Sequence, residues 1–250
     1  MSSPLRRAIR ALLERRGFWV RHRSVLPFGI DYQQDIARLC TLYGGSIEVF
    51  FDVGANVGQT VSAALRSFPT ATIFAFEPDV TSFGVLSTQR DPRVKPFNLA
   101  LSDKTGEVPF FDYGSFATSN SLVENAQYAA RAGHPVTVRS VQCDTLDEFS
   151  RQHAIERIDV LKIDTEGHET AVLRGAASML AAHRVRFVYV EFNTLLPKPG
   201  TTGGALLPIS ELLEPLGYRF VASYPEYMIT ENELFLTCNA LFVLGHRDGK

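Results

Sequence analysis

From Ile47 onward, short apolar runs alternate with stretches of helical periodicity, and that alternation confines the chain to few folds. Ile47 to Phe51, Thr72 to Phe76, Val94 to Leu99, Ile158 to Ile163 and Phe187 to Phe192 read as buried strands, with helices near 58–67, 80–90, 144–153 and 168–182. Strands without a polar face belong to a parallel sheet, because each crossover lays a helix on one side or the other. From Glu107 to Val141 the pattern breaks. Val108 to Phe111 and Val136 to Val141 flank a polar stretch there, so an insertion beside the sheet is expected over about 107–141. A Pro- and Gly-rich loop, Asn193 to Pro208, then precedes a short helix from Ser210 to Leu216 and two strands, Tyr218 to Ser223 and Asn239 to Leu244. A loop of that length in a compact domain is usually functional or mobile.

Residues 46–250 are thus expected to form a single domain, with 1–45 as an N-terminal helical extension. Residues 1–26 hold seven Arg against one Glu, a formal +6 that leaves −8 for the rest of a chain whose total is −2. Leu5, Ala8, Ile9, Leu12 and Leu13 recur at helical spacing and predict an amphipathic basic helix ending near Gly17. Two readings stand side by side: the helix packs on the domain with its arginines in water, or it makes a peripheral contact with an anionic membrane face. A second helix is expected from Asp31, a good N-cap, to Tyr43. No apolar run is long enough to cross a bilayer and Arg6, Arg7 and Arg10 interrupt any signal core, so a cytoplasmic protein is expected. Cys40, Cys143 and Cys238 lack metal-ligand spacing and read as reduced.

The chemistry is carried by four strand ends. Phe50 to Gly58 runs from a strand through a turn into a helix near Gln59. Gly54 and Gly58 allow positive φ there, and Asn56 tolerates the left-handed region between them, so a nucleotide can lie against the backbone. Thr72 to Phe76 ends in Glu77-Pro78, which puts a carboxylate where both hydroxyls of a ribose can donate to it. An adenosine-containing cofactor is expected. The G-x-G-x-x-G order of a dinucleotide site is missing and Asp52 would oppose a pyrophosphate, so S-adenosylmethionine fits better than NAD, with a dehydrogenase kept as the rival.

Ile158 to Glu169 carries a third strand into a turn and a helix, with Lys162 and Asp164 on one side and Asp164 at the carboxyl end. Asp164 is the first candidate base, and His168, the one histidine beside this cluster, the second. Glu166 and Glu169 read as first-turn residues favoured by the helix dipole. Tyr189 to Asn193 ends the fourth strand with Glu191 and Asn193 facing the same edge. Asp164, Glu191 and Asn193 are candidate oxygen ligands for Mg²⁺, while Glu191 could instead bind substrate hydroxyls.

These residues resemble the FkbM-type methyltransferases. The likeness runs from Phe50 to about Phe192, through Phe-Asp-Val-Gly-Ala-Asn-Val-Gly at 51–58, Phe-Glu-Pro at 76–78, Asn-Leu-Ala-Leu-Ser-Asp at 98–103, Thr-Leu-Asp-Glu-Phe at 145–149, Leu-Lys-Ile-Asp-Thr-Glu-Gly-His-Glu at 161–169 and Val-Leu-Arg-Gly-Ala at 172–176. It implies a Rossmann-like class I methyltransferase fold, with a mostly parallel seven-stranded sheet and helices on both faces. It also implies methyl transfer to a hydroxyl of a sugar in a polysaccharide or glycolipid, or of a related small molecule; transfer to nitrogen or carbon is the nearest competitor. By the same likeness Asp52, Gly54, Asn56 and Gly58 line the methionine end of the cofactor, Glu77 its ribose, and Asn98 to Leu101, including Ala100, its adenine. Ser119 to Leu122 resembles an element bordering the site. A glycan or small-molecule acceptor, and no nucleic acid, is the expected partner.

Overall fold

The computed structural model describes residues 4–18, 26–114, 120–124, 129, 135–196, 204–229 and 234–245. Its helices are α1 (Pro4–Arg15), α2 (Tyr32–Tyr43), α3 (Gln59–Ser67), α4 (Val80–Leu86), α5 (Leu146–Gln152), α6 (Glu169–Gly175), α7 (Ala177–Ala181) and α8 (Leu206–Leu213). The strands are β1 (Val49–Val53), β2 (Thr72–Phe76), β3 (Val94–Phe97), β4 (Ala100–Ser102), β5 (Gly106–Asp112), β6 (Thr137–Thr145), β7 (Ile158–Ile163), β8 (Val185–Phe192), β9 (Tyr218–Ile229) and β10 (Leu234–Leu244).

Seven strands form one sheet in the order β3-β2-β1-β7-β8-β10-β9. The first five run parallel, and β10 lies antiparallel to both β8 and β9. Alternation along each strand sorts the side chains to two faces. Phe51, Val53, Leu161, Ile163, Val188 and Val190 pack with Phe149, Val172, Leu180 and Ile209 of α5 to α8. Phe50, Ile73, Val160, Phe187 and Leu241 pack with Ile36, Leu39, Val61 and Leu86 of α2 to α4. Each fully buried side chain of this kind contributes roughly 1.5–3 kcal/mol through removal from water. Asp31 caps α2 as expected, accepting from the Gln34 amide at 3.1 Å. Because Ile36 and Leu39 are buried against the sheet, α2 is a layer of the domain, and the expected boundary at residue 45 cuts through packed structure.

The helix expected at Ser210 to Leu216 lies at Leu206–Leu213, the last two strands are longer than expected, and two further elements divide for local reasons. The predicted strand Val94 to Leu99 divides: β3 ends the sheet, where Pro96 is tolerated at an edge, and Asn98 then bonds the Glu77 and Pro78 carbonyls. The chain leaves the sheet there, and β4 joins the insertion strands in a separate sheet, β4-β6-β5. The predicted helix 168–182 likewise divides at Ala176. Gly175 lies so close to β4 that a Cβ would sit 1.9 Å from the Ser102 carbonyl oxygen, and Asp147 accepts the Ser178 and Met179 amides at 2.7 and 2.9 Å, anchoring a new helix start.

Candidate active site

The carboxyl ends of β1, β2 and β7 surround a cavity of about 320 Å³, closed on one side by Leu99, Ala100 and Leu101 and by Phe110, Asn120, Ser121 and Leu122 of the second sheet and its loop. Its floor is the turn after β1. The Gly54 and Ala55 amides both donate to the Phe76 carbonyl, so the chain folds across the end of β2. Gly54 has φ +78 and its absent Cβ would lie 1.8 Å from the Asp164 carbonyl oxygen, so only glycine lets β1 and β7 approach this closely. Asn56 takes the expected left-handed conformation, φ 48, and lines the cavity with Gln59 and Thr60 from the start of α3.

Glu77 projects from the end of β2 with only 7% of its surface exposed. Its Oε2 accepts the Asn56 amide at 2.8 Å and its Oε1 the Asp79 amide at 2.7 Å. Burial pushes the carboxyl up to about 7 against the pull of those two amides. Asp79, the N-cap of α4, also lines the cavity and meets Arg139 of β6 at 2.6 Å. Arg139 makes a second 2.6 Å contact to Asp112 of β5 and so ties the small sheet to the cavity wall.

Three residues expected at the cofactor sit behind the wall instead. Asp52 is fully buried under the turn and contacts Lys162 Nζ at 3.0 Å, so its charge is spent inside the protein. Gly58 turns the chain into α3 at φ 92, packed near Leu86. The Asn98 amide is held by two backbone carbonyls, and Leu99 to Leu101 face the cavity in its place.

Lys162 is the centre of the buried electrostatics. It lies across from Asp52 on β1 and Tyr189 on β8, donates to the Gly54 carbonyl at 3.1 Å, and stands 3.4 Å from the half-buried Asp164 carboxylate. Burial works against its charge, but Asp164 and Asp52 outweigh it and hold the ammonium above its ordinary value. Tyr32, the first residue of α2, stacks on Tyr189 at 3.8 Å between ring centroids and roofs this row.

Asp164, Glu166 and Glu191 present carboxylate oxygens within 4.8 Å of one another. Glu166 reaches this cluster because its backbone is left-handed, φ 55, in a turn rather than in a helix. Glu169 is fully buried and accepts the Thr165 and Gly167 amides and the Thr165 hydroxyl at 3.0–3.1 Å, which shapes that turn. Glu191 is pushed well above the ordinary carboxylate range, first by burial and then by the negative charges of Asp164, Glu166 and Glu169. Glu166 supplies the third carboxylate of the cluster, and the Asn193 side-chain oxygen is buried without a hydrogen-bond partner. His168 lines the cavity with Nε2 2.7 Å from the Ser102 hydroxyl, and burial lowers its pKa. Asn120 accepts the Tyr113 amide, and the Ser121 hydroxyl reaches the Thr165 and Glu166 carbonyls at 3.0 Å; Ser119 lies outside the described residues.

A sheet ordered 3-2-1 then 7-8, closed by an antiparallel strand and carrying a cavity at its carboxyl edge, defines the chain as a class I methyltransferase fold. The model of the "Methyltransferase FkbM domain" family matches residues 52–220, and the chain belongs to that family of S-adenosylmethionine-dependent methyltransferases. It is 29% identical over 164 residues to hexuronic acid methyltransferase AglP of Haloferax volcanii, covering 64% of this chain and 62% of that protein. It is 27% identical over 191 residues to 2-O-methyltransferase NoeI of Sinorhizobium fredii, covering 71% and 74%. Among solved structures it is similar to the N-terminal domain of human METTL16 in complex with SAH, at TM-score 0.47 and 12% identity, covering 96% of this chain and 81% of that one. The match thus spans somewhat under two thirds of AglP and about three quarters of NoeI.

Proposed function

We propose that this protein is an O-methyltransferase acting on a hydroxyl of a sugar, free or carried in a glycan or glycolipid. The observation that carries the reading is the cluster of Asp164, Glu166 and Glu191 at the edge of the cavity, since carboxylates in such a group both accept hydrogen bonds from a polyol and take its proton. AglP and NoeI, named for hexuronic acid and 2-O methylation, support it.

The residues present fit S-adenosylmethionine: a backbone turn at Gly54 to Asn56 in which Gly54 has no room for a Cβ, a ribose acceptor at Glu77, and apolar side chains of Leu99, Leu101 and Phe110 for an adenine. S-adenosylmethionine supplies the electrophilic methyl group. Asp164, beside the Lys162 ammonium, removes the acceptor's proton. Glu191, whose pKa burial and its acidic neighbours raise, orients a substrate hydroxyl, and His168, bonded to Ser102, stands as the alternative base. The protein's main contribution is positioning.

A second reading gives the same three carboxylates to Mg²⁺, which is commonly held by one or two carboxylates and waters. Lys162 already supplies a positive charge on one side of Asp164, which weakens the need for a cation there.

Transfer of labelled methyl to nucleotide sugars, glycolipids and oligosaccharides, with and without a chelator, tests both. The expected product carries the label on a sugar oxygen, located by fragment mass spectrometry, with activity indifferent to chelation. A label on nitrogen or carbon, or stabilisation by NAD(H) and not by S-adenosylhomocysteine, overturns the first reading. Activity lost to chelation and restored by Mg²⁺ establishes the second.

A further inference from the structure

The charge of this chain is divided unevenly, and so is its packing. Residues 1–26 carry seven Arg against one Glu while the chain as a whole is −2. α1 occupies Pro4–Arg15 of that arm and is a finished helix. Gly17 at φ +84 closes it, with the Gly17 amide on the Glu14 carbonyl at 3.1 Å and the Phe18 amide on the Leu13 carbonyl at 3.0 Å, a Schellman cap. Ile9, Leu12 and Leu13 form an apolar stripe at i, i+3, i+4 spacing, and Arg7 and Arg10 lie on the other side with Glu14, which Arg10 meets at 2.8 Å.

A stripe of this kind normally exists to be covered, and the domain does not cover this one. Ile9 is 50% exposed, Leu12 55% and the capping Phe18 60%, whereas the corresponding apolar residues of α2, Ile36 and Leu39, are buried. The α2 helix shows what packing on this domain looks like, and α1 lacks it.

We propose that α1 lies in the plane of an anionic lipid surface and holds the protein there. The occupant follows from two properties together. The arginines select a negative surface, and because the rest of the chain is net negative, such a surface attracts the arm and repels the body, which sets the orientation. The uncovered leucine and isoleucine side chains need an apolar medium, which an acyl layer offers and a soluble polyanion does not. Twelve residues of helix measure about 18 Å, short of the roughly 30 Å hydrocarbon core, so the helix rests in the interface and does not span. No helix among the described residues is long and apolar enough to cross a membrane.

The chain's one tryptophan, Trp19, follows this helix directly and makes a built-in reporter. Full-length protein is mixed with vesicles of phosphatidylcholine, with or without phosphatidylglycerol, and followed by co-sedimentation and Trp fluorescence. Binding to the phosphatidylglycerol vesicles with a blue shift is expected, weakening about tenfold or more on going from low to high salt. The double substitution Ile9→Asp, Leu12→Asp should lower binding at least about tenfold and leave the melting temperature and S-adenosylhomocysteine binding unchanged, because both positions lie outside the core. Equal binding to neutral vesicles, absence of binding, or a double variant that binds like the parent overturns the proposal. So does a dimer, seen by sedimentation velocity, that the double substitution dissolves while vesicles stay unbound; the stripe would then be a self-association surface.

Discussion

Glu77 and Glu191 are the same residue at the ends of two strands, 7% and 5% exposed, and their surroundings treat them in opposite ways. Each oxygen of Glu77 receives a backbone amide, and those bonds hold the carboxyl at about 7 despite its burial. Glu191 Oε2 has no hydrogen-bond partner, and three carboxyl groups add their charge to the cost of burial. In the first arrangement two amides offset part of the cost of burying the charge. The second disfavours the charged form, through burial first and the neighbouring carboxylates second. Burial alone does not assign a role to an acidic residue; the donors around it do. Under the proposed function Glu77 belongs to the binding end of the site and Glu191, with Asp164, to the proton-exchanging end.

The largest effect should come from the proton-exchanging end. Asp164→Ala is expected to lower kcat by roughly 10²–10⁴, the span of a lost general base, while thermal stabilisation by S-adenosylhomocysteine persists. A variant turning over at a near-normal rate would break the division of labour and move the base to His168.

Lys162 tests whether the two ends are coupled. Lys162→Met removes the cation that Asp52 and Asp164 both face and leaves the fully buried Asp52 uncompensated, at a cost of about 3–5 kcal/mol in unfolding free energy. Adding Asp52→Asn should recover much of that stability in chemical denaturation but not the activity, since Asp164 still lacks its ammonium. A single variant as stable as the parent would mean that the pair contributes nothing net.

The parallel sheet, the Gly54 to Asn56 turn and the carboxylates at three strand ends were legible in the sequence because each depends on local pattern: an apolar run, a glycine, an acid where a strand stops. Depth was not legible. Asp52, Asn98 and Gly58 lie at the right places along the chain, yet they sit behind the cavity because Lys162, two carbonyls and Leu86 respectively take them up. All three partners are distant in sequence. Glu166 sits where the sequence points to a first helical turn and reaches the acidic cluster through a left-handed backbone, a conformation rare enough for glutamate that propensity points elsewhere. Asp79, directly after Glu77-Pro78, could have been found as an N-cap three residues before an acceptable helix interior; its bond to Arg139 of the insertion could not.

The smallest effect, and the sharpest test of the binding end, is the pH dependence of Glu77. Its folded value of about 7 lies above its ordinary 4.5, so the folded state holds this proton more tightly than the unfolded one. The stability it contributes is fully present below 4.5 and is lost as pH rises through about 7, by at most about 3 kcal/mol. Glu77→Gln removes that dependence and also replaces one amide acceptor with a donor, a pH-independent loss of about 1–2 kcal/mol. The variant should therefore trail the parent at low pH, draw level as the parent's contribution falls, and be the more stable of the two above pH 7. Ligand binding should show the opposite slope: ribose hydroxyls donate to the carboxylate, so the parent's affinity for S-adenosylhomocysteine rises through about pH 7, while the variant binds roughly tenfold more weakly above that pH and without the slope. Calorimetric titrations at several pH values read both quantities. If the variant keeps the parent's slope in affinity, Glu77 is not the ribose acceptor, and its two backbone amides describe a structural carboxylate only.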